Sequence, residues 1–157
     1  MYPFLLALHN WTRWLVLLFA VVALYKSFTG WQGSRRYTSG DSAVYASFVG
    51  SMHLQLIIGL LLYFVYSPVG LQAFQRLGGA VMKDPVGRFW GVEHITIMVL
   101  AVVAAQVGRS LSKKQSIDAR KHKKAFTWFV VALLLVLLMI PWGLGEWNPG
   151  RPLWRGL

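Results

Sequence analysis

Three histidines, an arginine and a glutamate interrupt stretches that are otherwise apolar: His9 and Arg13 in the first stretch, His53 in the second, Glu93 and His94 in the third. Asn10, Thr12 and Gln55 accompany them. Polar and ionisable groups at membrane depth are costly, so each needs a partner or a task. Imidazoles from facing helices of a bundle are usual axial ligands of haem b. Two such ligands must lie level and straddle the macrocycle, which His9 with His94 does best and His53 with His94 second. Arg13 lies one turn from His9 on the same face, and its guanidinium suits a haem propionate, because it binds carboxylate in a bidentate fork. Two other arrangements stay open. In a polar clamp, Arg13 pairs with Glu93 while the histidines and Gln55 hydrogen-bond across helices; comparable depth favours Glu93 over a propionate as the partner of Arg13. In a bare metal site, His9, His53, His94 and Glu93 would hold Cu, Zn or Fe, against which stands the greater depth of His53.

The elements that must position these groups are membrane helices. The chain has 157 residues, 56% hydrophobic and 13% charged, where soluble domains run at about 45–50% and about 25%. Segments at about 3–25, 42–66, 89–108 and 125–142 each approach the ~20 residues that cross a ~30 Å hydrocarbon core. None alternates with the period of a barrel strand. The sequence therefore predicts an all-α membrane protein, one domain over 1–157, folded as a four-helix transmembrane up-down bundle. Arg13 interrupts the first segment and no basic stretch precedes it, so that segment is expected to stay as a helix rather than leave as a signal peptide.

Charge sets the expected orientation. Loop one holds Lys26, Arg35 and Arg36, and loop three holds Arg109, Lys113, Lys114, Arg120, Lys121, Lys123 and Lys124 against Asp118. Positive-inside bias puts both in the cytoplasm and both termini outside, N-out and C-out. His122 sits within the run Arg120–Lys124 and is expected to belong to a basic rim attracted to anionic lipid rather than to ligate. Leu71–Leu77 has the spacing of a short amphipathic surface helix. The Gly/Pro/Trp-rich tail after Pro141 is expected to be irregular and docked by its tryptophans. Absence of cysteine excludes disulfides, thiolate metal sites, iron–sulfur clusters and haem attached through C-x-x-C-H. No P-loop, G-x-S-x-G or H-E-x-x-H motif is present. The +11 formal charge flanks membrane helices and forms no reading face for nucleic acid.

Leu8-His9-Asn10-Trp11-Thr12-Arg13-Trp14, His53–Leu60, Glu93-His94, Gly108-Arg109-Ser110, Lys121-His122-Lys123-Lys124 and Ile140-Pro141-Trp142 resemble a family of small four-helix membrane proteins of Bacteroidota-type bacteria, labelled cytochrome b or b561-like. The resemblance runs from the first helix to Pro141 and implies b-type haem held by histidines among His9, His53 and His94. A dihaem b561 pattern needs four membrane-depth histidines in two level pairs; this chain offers three, so at most one bis-histidine haem is implied. The expected function is electron transfer near the outer face, with quinone or a larger membrane complex as partner. The alternative is a non-catalytic subunit packed in such a complex.

Overall fold

A computed structural model describes residues 1–152. Four of its helical stretches are long and apolar enough to cross a membrane: Tyr2–Gln32, Ser39–Lys83, Pro85–Lys113 and Asp118–Met139. Helix α1 (Tyr2–Gln32) starts with a proline in its first turn, where the missing N–H costs nothing. Helix α2 (Ser39–Leu61) starts at a capping box: the Thr38 hydroxyl accepts from the Asp41 N–H, and Asp41 accepts from the Thr38 N–H. It continues through a π-helical turn, Leu62–Tyr66, and stops before Pro68. The connection holds α3 (Leu71–Leu77), a 3-10 turn at Gly78–Lys83 and α4 (Pro85–Arg88). A second π turn, Phe89–Glu93, leads into α5 (His94–Lys113). Helix α6 (Asp118–Met139) ends with Ile140 extended, as expected before Pro141. Among the described residues there is no strand.

The helices outrun the apolar segments at the basic end. Helix α1 reaches Gln32, α5 reaches Lys113, and α6 already begins at Asp118. Hydropathy fades where Lys and Arg begin, but these residues are good helix formers and their long stems still cover apolar surface. The short helix expected at 71–77 is present as α3, with Ala73 buried and Arg76 and Leu77 exposed.

In cross-section the four helices form a ring: α1 contacts α2 and α6, and α5 contacts the same two. Helices α1 and α5 thus lie on a diagonal. Small residues fill the interior, among them Ala20, Ala23, Ala101, Ala105, Ala125 and Ala132, around Tyr45, Phe48 and Phe129. Large aliphatics such as Leu18, Val21, Ile57, Val103 and Leu134 face outward. Small inside and large outside is the packing of membrane helices, which approach closely where side chains are short.

One end of the bundle carries the basic turns 33–38 and 114–117; the other carries the start of α1, the 67–88 connection and the described tail up to Pro152. At the basic end the buried Asp41 accepts from Arg35 at 2.8 and 3.0 Å, which raises the already high pKa of that guanidinium. His122 is not on the rim. It is fully buried, its Nδ1 2.8 Å from the Tyr45 hydroxyl. The tail is irregular, yet Trp142 and Trp147 are 38% and 43% exposed. Trp142 still docks by its indole N–H, on the Leu137 carbonyl, and Asn148, fully buried, joins it, because its amide can satisfy the backbone groups freed where α6 stops. Trp154 lies outside the described residues.

Candidate functional site

At the end opposite the basic turns, all four spans and the tail enclose a cleft lined by His9, Asn10 and Arg13 of α1, Gln55 and Gly59 of α2, and Trp90 and His94 of the third span, closed over by Pro141, Arg151 and Pro152. The cavity has a volume of about 160 Å³ and is open on one side. Both π turns border it, through Leu62, Tyr63 and Trp90, and the Tyr63 hydroxyl joins them by donating to the Gly91 carbonyl at 2.8 Å. Such turns displace a helix locally and recur at functional sites.

His9 and His94 come from the diagonal helices and face this shared space. His94 Nδ1 lies 3.0 Å from the Met139 carbonyl. A carbonyl only accepts, so Nδ1 carries the proton and Nε2 keeps a lone pair. Trp90 and Phe89 flank the ring, with centroids 5.4 and 5.7 Å away. His9 has a buried Nδ1 without a partner, while its backbone carbonyl accepts from Gln55 Nε2 at 2.9 Å. The Gln55 carbonyl oxygen in turn accepts from Thr12. Gly59 stands beside the His9 ring; a Cβ there would lie 3.1 Å from Cε1. Arg13 donates to Asn10 at 3.1 Å and lies over the Trp14 ring.

The other sequence candidates lie elsewhere. His53 sits on the exposed face of α2, its Nδ1 bonded to the Val49 carbonyl of its own helix at 2.8 Å. Successive helical residues are turned by about 100°, so with Gln55 in the cleft, His53 points away, and the pairing with His94 is not assembled. Glu93 does not meet Arg13 as expected: its partner is Arg88, at 2.6 Å, one helical turn before it and nearer the membrane surface. Among the described residues no group of three or more His, Cys, Asp or Glu side chains is placed to hold a metal ion, so the bare-metal set does not form.

Two further cleft residues escape sequence reasoning. Trp90 carried only the signature of an interfacial aromatic. Arg151 belongs to an irregular tail whose return to α1 nothing in the local sequence announces. Comparison with protein-family models, with curated proteins and with solved structures finds no match for this chain.

Proposed function

We propose that this chain is a small b-type cytochrome of a bacterial inner membrane, carrying electrons through one haem ligated by His9 and His94 near the outer face. The observation that supports this reading most is the pair of imidazoles on diagonal helices lining one cleft, His94 with its proton committed to Met139. Histidines that ligate metals commonly donate their other ring N–H to a backbone carbonyl, which fixes tautomer and orientation. The orphaned Nδ1 of His9, whose ring packs on Gly59, and the guanidinium of Arg13 fit the same group. Haem, when bound, would supply one-electron exchange between ferric and ferrous iron. The chain's own residues ligate it, exclude water and set the polarity around it. The positive-inside bias of the turns supports an outward-facing cleft, with a membrane quinone or a larger membrane complex as the electron partner.

A second reading, a structural subunit whose polar groups form a clamp, is favoured by the ties Thr12–Gln55, Gln55–His9 and Arg13–Asn10. Absorption spectroscopy separates the two. The cytochrome reading requires red protein with a Soret band that shifts on dithionite, abolished in His94→Ala and His9→Ala and kept in His53→Ala. A folded, colourless preparation that takes up no added haem refutes it.

A further inference from the structure

The C-terminal tail brings to the cleft a cation that the helices do not supply. Asn148 anchors it, donating to the Leu138 and Ile140 carbonyls at 3.3 and 3.0 Å. Gly143 and Gly145, both at positive φ, turn the chain back, as glycine does without steric cost. The Arg151 N–H then meets the Pro141 carbonyl at 3.2 Å, and Asn10 of α1 donates to the Pro152 carbonyl at 3.0 Å. Pinned on both sides, Arg151 lines the cleft with its guanidinium over the Trp90 ring, 4.6 Å from the centroid. Among the described residues no Asp or Glu lines the cleft, and Glu93 is held by Arg88. A guanidinium stacked by its face on an indole keeps its N–H edge for a planar acceptor.

We propose that Arg151 forms a carboxylate clamp at the mouth of the His9–His94 cleft, which selects a flat apolar ligand carrying carboxylate at its outer edge. The proposal rests on the reading of this cleft as a haem site, and free haem b and its dimethyl ester are the probes that test the two separately. Each is titrated into the purified full chain in lipid nanodiscs, following tryptophan quenching and the Soret band. The wild type should bind the free acid about tenfold tighter than the ester, the worth of one charge-assisted hydrogen bond. Arg151→Gln should lose most of that preference with ester affinity unchanged, which shows the cleft intact. Arg151→Lys, a point charge without the planar fork, should keep part of it. Should Arg151→Gln also lose the ester, Arg151→Lys decides: full preference there overturns a guanidinium clamp. Equal affinity of the wild type for acid and ester, or undiminished preference in Arg151→Gln, overturns the clamp and leaves the haem reading standing. Binding of neither probe overturns both.

Discussion

His122 and Gly30 offer a measurable test of how the basic end is packed. The ring of His122 lies flat on Gly30: a Cβ added there would meet three ring atoms at 2.6 Å. Neither side can yield. His122 is fully buried, held to the Tyr45 hydroxyl at 2.8 Å and flanked by the Tyr37 ring at 5.3 Å. Gly30 is fixed by the Arg35 N–H, which bonds its carbonyl at 2.9 Å. Overpacking against a fixed group costs about 1–3 kcal/mol, the loss expected for Gly30→Ala. His122→Ala removes the ring and strands the Tyr45 hydroxyl. Truncating a large buried side chain costs about 2–5 kcal/mol, and an orphaned buried hydroxyl about 1–3 kcal/mol. These overlap at one site, so about 3–5 kcal/mol is expected in all. In the double variant the methyl introduced by Gly30→Ala occupies space the ring has left, so the two losses should not add, and the double should be no less stable than His122→Ala alone. Unfolding in mixed micelles of rising SDS fraction, followed by tryptophan fluorescence, measures all three. Were His122 a rim residue, its removal would change stability by less than about 0.5 kcal/mol and Gly30→Ala would be neutral; either result refutes the packing argument.

Other consequences are equally direct. Arg88 and Glu93 are 38% and 32% exposed, so Glu93→Gln should cost less than about 1 kcal/mol, and a double-mutant cycle of Arg13→Leu with Glu93→Gln should show no rescue. Asp41→Ala removes a capping box together with the partners of Arg35 and Lys26; about 1–3 kcal/mol of stability should be lost in the same SDS titration. In intact cells Lys83 should react with a membrane-impermeant amine reagent while Lys113 and Lys114 stay protected, and the reverse pattern would invert the proposed orientation.

Depth along the bundle was legible in the sequence; direction around each helix was not. Residue numbers and a fixed rise put His9 and His94 at one level, and the cleft holds both. These helices are apolar nearly all round, so a period of 3.6 has little to mark which face turns inward. That is why His53 could be assigned a depth but not its outward direction, although Gln55 two residues on lines the cleft. Small residues mark the inward face instead, as at Val16, Ala20, Ala23, Ser27 and Gly30 of α1, and α6 carries the same mark. Ala125, Phe129, Ala132 and Val136 are buried at alternating spacings of four and three, and the same spacing carried back one step lands on His122. The stripe of small and aromatic residues held that signal; the flanking lysines and arginines, splayed to either side of it, drowned it out.

The orientation of His94 follows from a residue that does no chemistry. Pro141 has no N–H to donate and forces Ile140 out of the helical region, so α6 ends and its last carbonyls lose their partners in the ladder. At membrane depth such groups must find donors inside the protein. Three side chains supply them: the Trp142 indole N–H reaches the Leu137 carbonyl at 2.7 Å, Asn148 serves Leu138 and Ile140, and His94 Nδ1 serves Met139 at 3.0 Å. One satisfied carbonyl thereby fixes the His94 tautomer and leaves Nε2 as the nitrogen available to a ligand. Another, through Asn148, anchors the tail that carries Arg151 to the mouth of the cleft. The end of one helix thus determines both the nitrogen that the third span offers and the cation that closes over it, which ties the cleft's chemistry to a proline some 47 positions along the chain from the histidine it orients.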